Sequence, residues 1–375
     1  MTATRHICFL TGTLNAMAGA ERMTAVMANA LAERGFAVSI LSLWDAASCF
    51  ALRGDVDHVA LFTQRPSFKR AYLATVAGIR RHCKLQAVDV LVQVDPMLSL
   101  FALPATIGLS VEHIAWEHCH FDEDLGRRSR RFARRLAGRY CAHVIVLTDR
   151  DRQRWNAALR PRADVLTLPN PLPFPIPDNP SPGTSRTVMA MGRLVHAKGF
   201  DVLLRAWQLA APRMWGWQLR IFGEGDEREE LLALTRQLGI ADTVEFPGVC
   251  ADPAHTFAQA SMFCLSSRYE GFGLVLIEAM AYGLPIVSTN CETGPRALLR
   301  NGENGLLVAV DDPAALADGL ERLAGDASLR TSLATNARIH VRQFSIETVA
   351  EKWQSILTAL SAPRDSHAAM GPKSS

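Results

Sequence analysis

Short apolar runs alternate with amphipathic stretches along most of the 375-residue chain. In the first half the runs fall at residues 6–10, 37–43, 88–94, 113–116 and 143–147. Residues 21–34 repeat apolar positions at helical spacing and are closed by Gly35. Continuous apolar runs separated by helices predict parallel strands covered on both faces. The pattern breaks at Pro169-Asn170-Pro171-Leu172-Pro173-Phe174-Pro175-Ile176-Pro177 and stays broken to Ser185. Proline removes backbone donors and stiffens the chain, so residues 171–185 are expected to form a linker. The pattern then restarts, with strands at 188–191, 218–222, 244–246, 262–265 and 285–288. Helices are expected there at 199–208, 227–238 and 274–282. Two such sets predict an α/β protein of two doubly wound, Rossmann-like domains, 1–170 and 186–345, facing across a cleft. The polar residues 363–375 read as a disordered tail.

Length supports the division, because 375 residues exceed one ordinary core. No run of eighteen uncharged apolar residues occurs, so no membrane-spanning helix is expected. Arg5 and His6 lead straight into an apolar run, which is not the layout of a signal peptide. The eight cysteines are scattered singly without a C-x-x-C pair. They read as reduced thiols of a cytosolic protein, not as a disulfide frame or zinc site. The net charge of +3 hides an asymmetry. Residues 1–170 hold 22 Lys/Arg against 15 Asp/Glu, and the remainder holds 18 against 22. The two halves therefore suit different partners.

The most specific chemistry lies between Arg268 and Pro285. Glu270 precedes a Gly271-Phe272-Gly273 turn, the turn opens into an apolar helix carrying Glu278, and Gly283-Leu284-Pro285 stops that helix. A glycine turn at a helix start exposes free N–H groups at the positive end of the helix dipole, which suits a phosphate. A phosphate site flanked by two carboxylates suits a sugar nucleotide, with hydroxyls at both ends of a diphosphate. Arg193 and Lys198 lie five apart in a short loop after a strand, so both can serve one cleft. There they would stabilise charge on a departing diphosphate.

These residues resemble the retaining glycosyltransferases of family 4, which have the GT-B fold. Glu270 through Glu278 matches that family's E-x7-E signature. Gly192-Arg193-Leu194-Val195-His196-Ala197-Lys198-Gly199 resembles its diphosphate-binding loop, and Phe222-Gly223-Glu224-Gly225 its next nucleotide-side loop. Gly294-Pro295 and Asn304-Gly305-Leu306-Leu307-Val308 match its closing segment. Pro169-Asn170-Pro171 resembles its approach to the linker, and Gly19-Ala20-Glu21-Arg22 its small-residue turn near diphosphate and acceptor. The resemblance implies that Glu278 holds the nucleotide ribose and Glu270 the donor sugar. It implies that backbone groups of Phe272, Gly273, Leu274 and Val275 meet sugar or phosphate, with Gly271 admitting close approach. Gly19, Asn170, Gly192 and Gly223 complete the implied donor site. The family also has a histidine near the transferred sugar. In Trp116-Glu117-His118-Cys119-His120 the first choice is His118, with His120 and Glu117 as rivals. Retention of anomeric configuration, a nucleotide-binding second domain and an acceptor-binding first domain follow from the resemblance. So does a helix over 346–362 packing back on the first domain. Cys291-Glu292-Thr293-Gly294-Pro295 resembles a variant among polysaccharide-building members, which favours a UDP-sugar.

Three D-x-D matches, at Asp55/Asp57, Asp122/Asp124 and Asp149/Asp151, raise the alternative of a metal. Arg193, Lys198 and a helix N-terminus lessen the need for one, so neither an essential metal nor another cofactor is expected. Residues 127–139 hold seven arginines, with Phe132 and Leu136 one turn apart. Arg127, Arg128, Arg131, Arg134 and Arg135 are the candidate acceptor and membrane contacts. Lys69, Arg70, Arg80, Arg81 and Lys84, interleaved with Tyr72, Leu73 and Val76, form a second basic stretch. Basic amphipathic helices lie on anionic headgroups, and without an aromatic platform nucleic acid is not expected. The expectation is a cytoplasmic enzyme, peripheral at the inner face of the membrane, acting on a lipid-linked saccharide. A sugar-nucleotide epimerase of similar architecture and a non-catalytic sugar-binding protein are the alternatives. A nicotinamide dehydrogenase lacks its G-x-G-x-x-G after the first strand, where Thr11-Gly12-Thr13 stands instead.

Overall fold

A computed structural model describes residues 5–124, 126–250 and 252–360. The expected tail over 363–375 and the last two residues of the expected 346–362 helix lie outside this range. The first half builds a seven-stranded sheet from β1 (His6–Thr11), β2 (Ala37–Trp44), β3 (Val56–Phe62), β4 (Val90–Gln93), β5 (Glu112–Trp116), β6 (His143–Val146) and β7 (Asp164–Thr167). Its order is β3-β2-β1-β4-β5-β6-β7, and every pairing is parallel. The second half builds a six-stranded parallel sheet from β8 (Thr187–Met191), β9 (Gln218–Phe222), β10 (Val244–Gly248), β11 (Met262–Leu265), β12 (Ile286–Thr289) and β13 (Leu306–Val308). Its order is β10-β9-β8-β11-β12-β13.

Alternation along β1 shows why the strands read as continuous apolar runs. Ile7 and Phe9 enter one core cluster, and Cys8 and Leu10 enter another on the opposite face. Strand order reverses between β1 and β4 in the first sheet and between β8 and β11 in the second. Ligands of doubly wound sheets bind beyond the carboxyl ends at such switch points. The loops after β8 and β11 carry Arg193, Lys198 and Glu270.

The chain crosses between the two halves twice. The proline-rich segment leads from β7 to β8, and the helix Ile346–Ala359 returns to the first sheet. Trp353 on that helix is fully buried, 6.3 Å from the ring of Phe9 and 5.1 Å from that of Trp116. Arg5 Nη1 donates to the Leu357 carbonyl at 2.5 Å, and Arg34 Nη2 to that of Glu347 at 3.0 Å.

The basic helix Arg128–Tyr140 forms, but two of its arginines, Arg130 and Arg134, do not face outward. Arg134 is 2% exposed, so it is not a membrane contact. Its Nε donates to Glu117 at 2.7 Å, and its terminal nitrogens reach the carbonyls of His120, Phe121 and Glu123. A guanidinium with five donors is well suited to tie a loop together in this way. Arg127, Arg128, Arg131 and Arg135 remain exposed, and Arg131 pairs with Asp124 at 3.0 Å. Among the described residues no helix is long and apolar enough to cross a membrane.

Removing the Trp353 ring would leave a cavity between the returning helix and β1. Trp353→Ala is expected to destabilise the protein by about 3–5 kcal/mol, read by denaturant unfolding. An unchanged midpoint would show that the helix is not docked there.

Candidate active site at the cleft between the two sheets

The loop after β8 crosses the loop after β9 backbone to backbone. Gly192 N–H donates to the Phe222 carbonyl at 3.0 Å and Leu194 N–H to that of Glu224 at 2.9 Å. Gly223 has φ +138°, and a Cβ there would lie 1.9 Å from the Gly192 oxygen. No residue but glycine fits. The Lys198 stem runs past Gly192, and its Nζ donates to Glu270 Oε1 at 2.5 Å. Ser267 Oγ donates to the same oxygen at 2.7 Å, and the Thr293 hydroxyl holds the Glu270 carbonyl. Arg193 is exposed beside these groups.

After Glu270 the chain turns through Gly271-Phe272-Gly273. Phe272 buries its ring against Phe344 at 5.9 Å, which fixes the turn to the core. Gly273, at φ +85°, starts the helix Leu274–Ala281 without a side-chain cap. Leu276 N–H bonds back to the Gly273 carbonyl at 2.9 Å, and the N–H groups of Leu274 and Val275 are left for another acceptor. The helix ends in a Schellman arrangement: Gly283 N–H donates to Met280 and Leu284 N–H to Ala279, both at 3.0 Å.

The other wall comes from the first sheet. A Cβ on Gly271 would sit 2.6 Å from the His118 carbonyl oxygen, so the turn lies directly on the loop after β5. A Cβ on Gly19 would meet Leu274 Cδ1 at 3.1 Å, so the helices Gly19–Glu33 and Leu274–Ala281 begin side by side. One turn further in, Arg22 Nη1 donates to Glu278 Oε1 at 2.6 Å. Glu278 is 2% exposed. Burial raises its carboxyl, and the Arg22 charge and hydrogen bond oppose that rise. Glu21 is likewise raised by burial, opposed by its own backbone N–H and by Arg193. Arg193 thus acts across the cleft on the first half.

His118 packs against Trp116 with ring centroids 4.3 Å apart and the planes tilted by 49°. Neither of its ring nitrogens has a hydrogen-bond partner, and both are shut off from solvent. Burial holds the imidazole neutral, with its pKa lowered to about 3. His120 also has an unpartnered Nε2, and its ring meets Tyr269 of the second half at 6.1 Å. Glu117 has a different environment. It is fully buried between Arg134 at 2.7 Å and Arg130 at 3.2 Å, and Arg130 also holds Asp95 at 2.6 Å. Burial raises Glu117 to about 7 against the pull of the two arginines. Its carboxylate is committed to the loop, whereas the histidine nitrogens are not.

The structure thus gathers Gly19, His118, Gly192, Arg193, Lys198, Glu270, Gly271, Phe272, Gly273, Leu274 and Glu278 around one cleft. Val275 continues the same helix turn. Gly223 supports the Gly192 loop from behind. Asn170 is buried at the linker with an unpartnered Oδ1. Gly19 is the donor-site candidate of the Gly19–Arg22 quartet, and Arg22 joins it through its contact with Glu278. The structure also adds Arg150, whose guanidinium reaches Glu292 across the cleft. A lone arginine 142 positions from its partner leaves no local signal. Five of the six D-x-D acids are engaged elsewhere: Asp55 with Arg53, Asp122 with Arg154, Asp124 with Arg131, Asp149 with Arg152 and Asp151 with Thr148. Among the described residues no group of three His, Cys, Asp or Glu could hold a metal ion.

Residues 175–340 match the family described as Glycosyl transferases group 1, and residues 17–174 match Glycosyltransferase Family 4. A Haemophilus influenzae protein named "Uncharacterized glycosyltransferase" is 31% identical over 94% of this chain and 100% of its own length. A Campylobacter jejuni enzyme is 28% identical over 94% of this chain and 98% of its own. Its name describes an N-acetyl-D-galactosaminyltransferase acting on an undecaprenol-linked saccharide. Among solved structures, Anabaena Alr3699/HepE in complex with UDP superposes with a TM-score of 0.78 at 21% identity, over 94% of this chain and 99% of that one. Sucrose-phosphate synthase from Thermosynechococcus elongatus gives 0.81 at 18% identity, over 95% and 99%. At these identities the structural likeness concerns the fold, which is GT-B. The chain belongs to the glycosyltransferases of group 1 and family 4.

Proposed function

We propose that this glycosyltransferase moves a sugar from a UDP-sugar to a lipid-linked saccharide, with retention of configuration, in the assembly of a cell-surface polysaccharide or lipopolysaccharide. The observation that carries the donor reading is the pairing of each signature acid with a cation at the cleft: Glu270 with Lys198 and Glu278 with Arg22. Entry of a ribose at Glu278 would exchange the Arg22 hydrogen bond for hydroxyls and free that guanidinium for a phosphate. A donor sugar at Glu270 would do the same for Lys198. The two acids then hold the hydroxyl-bearing ends, while Arg22, Arg193, Lys198 and the uncapped helix start face the diphosphate.

The acceptor hydroxyl forms the new bond to the anomeric carbon as the bond from that carbon to the diphosphate oxygen breaks. The nucleoside diphosphate leaves with the electron pair, and one of its oxygens takes the acceptor proton. No protein base or metal is required. Neutral His118 donates a hydrogen bond to the sugar, which would satisfy a ring nitrogen otherwise left unpaired at a cost of about 1–3 kcal/mol. The names of relatives support the acceptor class. The Campylobacter jejuni enzyme acts on an undecaprenol-linked chain. Rhizobium meliloti LpsE, named for lipopolysaccharide core biosynthesis, is 37% identical over 48% of this chain. The exposed arginines of the helix Arg128–Tyr140 support work at the inner, anionic face of the membrane.

A panel of nucleotide sugars, read by thermal shift and slow donor hydrolysis, tests the donor. A UDP-sugar should give the largest shift, and Arg193→Ala with Lys198→Ala should abolish it. Glu278→Ala should weaken donor binding by roughly 10- to 100-fold. Glu270→Ala should mainly slow transfer, by roughly 100-fold. Equal effects of the two changes on binding and rate would refute their separate roles.

Neutral His118 has two pH consequences. Transfer should show no break attributable to this group between about pH 5 and 8. Because its folded pKa lies below its ordinary value, its stability contribution is intact above 6.5 and is lost as pH falls toward 3. His118→Asn should flatten that part of the acid limb of an unfolding curve. A limb as steep as that of the natural protein would place the titration elsewhere.

A further inference from the structure

The segments leading into β6 and β7 lie at the amino ends of those strands, opposite the cleft. They border an open cavity of about 420 Å³ lined by Arg135, Arg139, Arg160, Arg162, Leu136 and Tyr140 among others. No acid lines it. Among the described residues none of these four guanidinium groups pairs with a carboxylate. The contrast within one helix is sharp, because Arg130, Arg131 and Arg134 all have acid partners. Arg139 instead lies over the Tyr140 ring at 5.5 Å. The floor is fixed by backbone: Arg162 and Ala163 N–H both donate to the Gly138 carbonyl, at 2.7 and 2.9 Å. Four like charges around one fixed cavity repel each other until an anion sits among them. Bidentate phosphate binding is what arginine does best.

The surroundings identify the source of the phosphate. Phe132 and Tyr140 on the same helix are 54% and 62% exposed. Arg128, Phe132, Arg135 and Arg139 recur at helical spacing and form one exposed stripe. A soluble phosphate ester would leave the aromatic rings without a role. At a bilayer they enter the interface while the arginines remain at headgroup level. The helix spans about 20 Å, from Arg130 beside the cleft loops to the cavity. Seating its far end on lipid therefore lays the stripe along the surface with the cleft rim close to it.

We propose that the Arg135/Arg139/Arg160/Arg162 cavity seats the phosphate of an anionic phospholipid headgroup, with Phe132 and Tyr140 inserted beside it. This rests on the membrane-surface reading above and adds a defined lipid site to it.

The test is sedimentation of the full chain with phosphatidylcholine vesicles, with and without phosphatidylglycerol, with UDP-sugar thermal shift as an independent check. The natural protein should bind only the phosphatidylglycerol vesicles. Arg160→Glu with Arg162→Glu should weaken that binding by roughly 30-fold or more and leave the donor shift unchanged. If that pair fails to fold, Arg160→Gln with Arg162→Gln should weaken binding in the same direction. Phe132→Ser with Tyr140→Ser should lower the binding that survives high salt. Charge variants that bind like the natural protein would overturn the cavity while leaving the membrane reading standing. A natural protein that ignores both vesicles would overturn both, with the donor reading still judged by thermal shift. Glycerol phosphate blocking vesicle binding completely at concentrations comparable to lipid would overturn the lipid as occupant.

Discussion

Glu278 is a carboxylate taken almost wholly out of water, and its counter-charge arrives from the other half of the molecule. A buried charge without a partner costs about 3–5 kcal/mol, so the position of Arg22 constrains how the two sheets face each other. Gly19 against Leu274, and Gly271 against the His118 carbonyl, set the remaining approach at van der Waals distance. Two helix starts are thereby brought together with their N–H groups on one cleft. Such an arrangement favours an anion and leaves little use for bulk water. The acids flanking it differ in support. Glu278 depends on the opposite wall, whereas Glu270 is held by Lys198, Ser267 and Thr293 of its own half.

Much of this was legible in the chain. Buried parallel strands announce themselves as unbroken apolar runs, and β1, β2, β4, β5, β6, β8, β9, β10, β11 and β12 fall where those runs lie. β3 escapes because it carries Asp57 and His58 and buries only Val56 fully at the edge of its sheet. β7, the opposite edge, is four residues of mixed exposure. These two edge strands of the first sheet lack the signal that two covered faces impose. The E-x7-E turn was readable because its parts are contiguous. Arg22 and Arg150 were not, since their partners are 256 and 142 positions away. Arg134 misleads for a related reason. Its charge looks like surface until the folded loop supplies Glu117 and three carbonyls around it.

Glycine needs two explanations here. At Gly223 the constraint is internal, the crossing of two loops of one sheet. At Gly271 it is external, a carbonyl from the other half. Both appear in the sequence as motif glycines, but only one of them reports on how the halves meet.

The two crossings of the chain touch one another: Leu172 N–H, in the outgoing segment, donates to the Phe344 carbonyl of the returning one at 2.6 Å. Two strands fastened at one point behave as a door hinge, not a tether. A rotation of one half on the other would turn about that point, while sliding or twisting apart would pull on both crossings at once. Displacement grows with distance from the pin. The Arg150–Glu292 contact lies on neither crossing, so a rotation that opened the cleft would have to break it.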